Sequence, residues 1–186
     1  LRESLAQLNE FVLSRVVSIE FSGDIAVEAK KDGLIGAMSE PVRLSAELVK
    51  QGHFTRRIPV REERQAEMRT LVMDHETESG INPATVPVSK IAHGSIDCLA
   101  LMAYFFLVHS VLPVLWKCDG STAFRPLPIR EEDLDLMWIA WAVGSDKWAA
   151  QHMGTPFGAI VATHAYHRFG SLVKFLVVRV FKAPLA

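Results

Sequence analysis

Apolar residues recur with helical spacing along most of this chain. Positions 1, 5, 8, 12, 13, 16 and 19 are apolar, a period near 3.6 that predicts a helix over residues 1–19, and 24–31 continue the pattern beyond Gly23. Residues 33–38 are a break. Ser39, Glu40 and Pro41 open a helix expected to run through Val49, with Gly52 just past its end. Residues 61–78 read as a charged helix with a narrow apolar stripe at 68, 71 and 72, and Pro83 and Pro87 make the next segment a loop. Over 127–143 a helix is expected from Pro128 near its start, acids at 131–133 suited to its positive end, and apolar residues at 134, 136, 137, 140, 141 and 143. Gly144 stops it and Ser145 caps a second helix, on which Trp148 and His152, four apart, share a face. A last helix is expected over 159–185. The fold class these elements imply is all-α, in a single domain over 1–186.

Residues 96–116 form an almost unbroken apolar run that meets the length criterion for a transmembrane helix. Asp97, His109 and Pro113, with no Lys/Arg asymmetry beside them, turn the expectation to a buried core helix instead of a membrane span. A helix apolar on every side needs neighbours all round, which points to a helical bundle and to burial in an oligomer interface.

The densest pattern of chemistry-bearing residues is Asp133-x11-Ser145-x2-Trp148-x3-His152. If both flanking helices form, the turn at Gly144 folds Asp133 back toward the second helix and an acid approaches an imidazole. The spacing resembles the Glu-x11-Cys-x2-Cys-x3-His core of the carboxymuconolactone decarboxylase and alkylhydroperoxidase-D-like (AhpD-like) family. Arg57-Ile58-Pro59, Gly80-Ile81-Asn82-Pro83 and Ile91-Ala92-His93-Gly94-Ser95 are similar, in the same order, to segments of that family, so the resemblance covers roughly residues 57–152. Residues 1–52 lie outside it, as N-terminal helices, and 159–185 is similar to a family C-terminal helix that arrives early. The resemblance implies an AhpD-like helical bundle, homo-oligomeric as a trimer or hexamer, with acid-base chemistry on a small organic acid or lactone.

Ser145 and Trp148 stand where the family has its two cysteines, so a thiol peroxidase reaction has no attacking or resolving thiol. What remains is a decarboxylase- or lyase-like scheme without a cofactor. In it His152 moves a proton, Asp133 orients the ring, and Trp148, Ser145 and Arg130 face the substrate, Arg130 through its planar fork. Against this stand packing for Trp148, capping for Ser145, and a first-turn acid complementing the helix dipole for Asp133. A degenerate member without catalysis, or a helical bundle binding a hydrophobic ligand or partner, is the alternative.

Composition narrows the field further. The chain has 186 residues, 49% of them hydrophobic, enough for one core. With 20 basic and 21 acidic side chains and a net charge of −1, no nucleic-acid footprint is visible. Cys98 and Cys118, twenty apart near opposite ends of one expected helix, read as reduced and hence cytoplasmic. Leu1 is no initiator, which leaves a preceding leader open. His164 and His167 are three apart on a helix and chelate a metal only if His93 or His109 converges on them; no metal is expected. Asp74, His75, Glu76 and Glu78 read as a solvated face.

Overall fold

The structure, a computed structural model, describes residues 2–64, 66–87, 90–91, 96–112 and 124–181. Helices α1 (Arg2–Ser14) and α2 (Ser22–Leu34) come first, followed by β1 (Val42–Arg43), α3 (Ala46–Gln51), β2 (Phe54–Arg64) and β3 (Glu67–Asp74). Helices α4 (Ile81–Ala84) and α5 (Ile96–Val108), a 3-10 turn (Glu131–Leu136), β4 (Trp138–Val143), β5 (Asp146–Gln151) and α6 (Ile160–Phe181) complete the chain. The five strands form one mixed sheet in the order β1-β5-β4-β2-β3, parallel only between β2 and β4.

The all-α expectation is therefore wrong: the fold is mixed α/β, and the AhpD-like helical bundle is not formed. The expected helix over 127–143 is a 3-10 turn and a strand, and the helix expected after Ser145 is β5. Trp-Ile-Ala-Trp-Ala-Val over 138–143 is apolar at every position because β4 is central and covered on both sides, so it shows neither the helical nor the alternating period. Gly144, at φ +62°, and Ser145 make the two-residue turn that sets Val143 opposite Asp146. The charged helix expected over 61–78 is the β2–β3 ribbon, which turns back at Ala66. The helix expected from Ser39 begins instead after Ser45, whose hydroxyl accepts from the Leu48 amide.

The two faces of β4 fill two cores. Ile139 and Trp141 meet Ile25 and Ala29 of α2, with Met38 and Ala150. Ala140 and Ala142 meet Phe54, Ala149 and Val16, under Leu48 and Val49 of α3. Full burial of residues such as Trp141, Phe54, Ile139 and Ile25 contributes about 1.5–3 kcal/mol each. Alanines on the sheet keep α1 and α3 close to it.

The closely packed pairs of elements are strand with strand, and α1 and α2 with the strands; among the described residues α5 and α6 pack closely on no other element. The buried core helix expected over 96–116 is thus corrected as well. None of the described side chains of residues 100–112 is buried, and residues 113–116 lie outside the described residues. Among the described residues no helix is long and apolar enough to cross a membrane.

Candidate functional site

Where α2, the start of the β2–β3 ribbon and the end of β5 meet, the sheet carries charge inside the core. Thr55 and Arg57 are buried on β2, and Asp74 is the direct cross-strand partner of Arg57. The guanidinium grips that carboxylate twice, Nε to Oδ1 at 2.7 Å and Nη2 to Oδ2 at 3.2 Å, and reaches Asp32 of α2 at 3.4 Å. Such a fork-on-carboxylate geometry is what makes a buried ion pair tolerable. Burial opposes the charge on each partner, yet Arg57 stays above its ordinary pKa because of Asp74 and Asp32. Asp74 falls far below the carboxylate range because Arg57 and His152 outweigh its own burial.

His152 lies two residues beyond Ala150, on the same face of the sheet, and is 1% exposed. Its Nε2 is 2.9 Å from Asp74 Oδ2 and its Nδ1 is 3.1 Å from Arg125 Nη1. An arginine only donates, so Nδ1 accepts, and the ring proton sits on Nε2, which donates to Asp74. Burial holds the imidazole below its ordinary pKa, against the pull of Asp74. The ring is neutral with both nitrogens engaged.

Arg125 also binds Asp32 at 3.1 Å. Its place is fixed by a short pairing of residues 127–129 with 153–155: Ile129 donates to the Met153 carbonyl, Thr155 donates to that of Leu127, and Pro128 faces Gly154. The approach is so close that a Cβ on Gly154 would stand 2.0 Å from the Arg125 carbonyl oxygen. Next to this cluster Glu76, buried and accepting from the Thr55 hydroxyl at 3.2 Å, is pushed up to about 8 by burial and by the charge of Asp74.

Beside the cluster a surface cleft of about 350 Å³ opens between α2, β3 and residues 124 and 157. Leu71, Val72, Phe124 and Phe157 give it apolar walls, while Arg69, Arg125, Glu28 and Asp32 give it charges of both signs. Arg125 thus has one side in the cleft and its Nη1 on the buried imidazole. His152 and Asp74 do not line the cleft.

Of the residues given a role in catalysis or substrate binding from the sequence, His152, Asp133, Trp148, Ser145 and Arg130, only His152 is in this cluster. Asp133 does not orient it: Asp133 sits on the 3-10 turn and is bound by Arg130 at 2.7 and 2.9 Å, an exposed i,i+3 pair. Arg130 is accordingly engaged by Asp133 and does not line the cleft beside Arg125. Ser145 is an exposed turn residue that caps no helix, and Trp148 is half-buried on β5 against the Ile139 and Trp141 core, with Arg43 over its ring. Asp74 and Glu76, expected on a solvated face, are each 2% exposed. His109 stacks on Phe105 at 4.4 Å, and His93 and Cys118 lie outside the described residues. No group of three His, Cys, Asp or Glu side chains is placed to hold a metal ion among the described residues.

Sequence reasoning missed Asp74, Arg57, Asp32 and Arg125. The one available signal was a basic and an acidic residue symmetric about the β2–β3 turn, which a hairpin sets face to face. A scan against protein-family models finds none that matches the chain, and a search of curated proteins finds no similar one, so a functional reading rests on the geometry alone.

Proposed function

We propose that the chain is a binding protein for a small amphipathic anion, held in the cleft beside Arg125. The observation that carries this is the double engagement of Arg125, at once a cleft wall and the cap over a closed-off imidazole. Its planar fork suits a carboxylate or phosphate, and Leu71, Val72, Phe124 and Phe157 suit an apolar body next to it. A ligand anion competes with Asp32 and His152 for the same donors. Binding and the state of the buried cluster are therefore coupled.

The test is a thermal-shift and titration panel of aliphatic and aromatic carboxylates and phosphates. A member at a hundred times its Kd stabilises the chain by about 2.7 kcal/mol. Arg125→Ala weakens that binding by about tenfold or more, as loss of a charged hydrogen bond requires. A panel in which nothing shifts the parent, or an Arg125→Ala chain that binds equally well, sinks the proposal.

A second reading is favoured by the 2.9 Å His152–Asp74 contact. When a substrate carboxylate draws Arg125 away, the Nδ1 lone pair is free to take a proton while Asp74 holds the Nε2–H, which is acid-base chemistry on a small organic acid or lactone. Turnover of a lactone panel by the parent and its loss in His152→Gln, with binding kept, distinguishes catalysis from binding alone.

A further inference from the structure

Two helices present apolar surface that nothing in the sheet body covers. In α5, Leu101, Tyr104, Phe105, Leu107 and Val108 are each more than half exposed and span nearly half the helix circumference. The half-buried Met102, Ala103 and Phe106 on the remaining side are apolar too, so beyond the exposed Asp97 of its first turn no side of this helix is built for water. In α6, buried Ala159 and Ala162 dock its start, with the Ile160 amide donating to Asn82. Every residue from 168 to 176 is then exposed. Phe169, Leu172, Val173 and Leu176 make one apolar stripe at helical spacing, flanked by Arg168 and Arg179.

Charge says what covers these helices. No Asp or Glu occurs in residues 98–118 or 147–186, whereas the sheet body carries nearly all the acids. α6 thus lies wholly in a stretch free of negative charge and carries Arg168, Lys174 and Arg179, and α5 has no acid beyond Asp97 in its first turn. A second copy docked about a two-fold axis through the α6 stripe would bring cationic α6 against cationic α6. An anionic lipid surface meets the same charges with attraction, and hydrocarbon surrounds α5 on all sides as no single groove does. At 13 residues α5 is about 20 Å long, short of the roughly 30 Å hydrocarbon core, so it enters a bilayer without crossing it.

We propose that α5 and α6 seat this protein on an anionic phospholipid bilayer, α5 sunk into the hydrocarbon and α6 lying along the headgroups. The proposal is independent of the Arg125 cleft. The experiment is flotation of the full chain with vesicles of phosphatidylcholine, with and without phosphatidylglycerol, at low and high salt. The chain is expected to float with the anionic vesicles and to bind them about tenfold or more tightly than neutral ones, a preference that high salt erodes. Leu101→Glu/Phe105→Glu/Leu107→Glu, all at exposed positions, should abolish flotation with circular dichroism and melting temperature unchanged. Arg168→Glu/Arg179→Glu should remove the lipid preference alone. A parent chain that stays at the bottom of the gradient, or a triple variant that floats as the parent does, overturns the proposal. So does concentration-dependent self-association that the triple variant loses while neither chain floats, since a second copy is then the cover.

Discussion

Glu76 is a residue whose protonation the fold controls within the pH range where the protein is handled. Unfolded, it ionises near 4.5, and folded near 8, because burial and the adjacent Asp74 charge disfavour its anion. Below 4.5 both states hold the proton and the fold loses nothing. From there up to about 8 the unfolded chain gains by ionising alone, so stability is lost as pH rises through that window. His152 acts in the opposite sense: with its pKa lowered, its contribution is complete above 6.5 and is lost as pH falls below that. Between pH 6.5 and 8, then, Glu76 dominates, at about 1.4 kcal/mol per pH unit, or about 2 kcal/mol in all. Urea unfolding of the parent should show a midpoint that falls from pH 6.5 to 8.5, and Glu76→Gln a midpoint that stays level and exceeds the parent's at pH 8.5. Parallel curves for the two chains would remove Glu76 from this role.

At the level of elements, the cluster depends on how residues 127–129 lie against 153–155. A methyl group on Gly154 would collide with the Arg125 carbonyl, a backbone atom that moves only if the whole turn moves. Gly154→Ala should therefore cost about 1–3 kcal/mol, as forced overpacking does, and should weaken ligand binding as Arg125→Ala does, both read from urea unfolding and titration. Elements also explain what the sequence conceals. The apolar spacing over 1–19 and 24–31 is readable because α1 and α2 each lay one face on the sheet. β4 is not readable as a strand, since a central strand covered on both sides has no polar alternation, and its positions 140, 141 and 143 mimic a helix by chance. The ribbon over 54–74 misleads for the reverse reason. Past Arg57 it extends beyond its pairing with β4, so charges occupy both of its faces. His152 was recognisable as a residue of interest, but its acid stands 78 positions away on another strand, a pairing that only sheet register creates.

For the molecule as a whole, stability resides in the sheet with α1, α2 and α3, and α5 and the later turns of α6 contribute surface. Ending the chain after His167 keeps the buried Ala159 and Ala162 while removing, among the described side chains, only exposed ones. Its melting temperature should stay within about 2 °C of the parent's in a calorimetric scan. A larger fall would mean that the end of α6 supports the body after all. The closed imidazole at the centre adds an experimental handle. Because neither ring nitrogen of His152 has a free lone pair or an open path to solvent, an acylating reagent such as diethyl pyrocarbonate modifies it only in moments when the interior parts. The labelling rate at that one position is accordingly a clock for how often the protein opens, and any molecule that pries Arg125 loose will make it run faster.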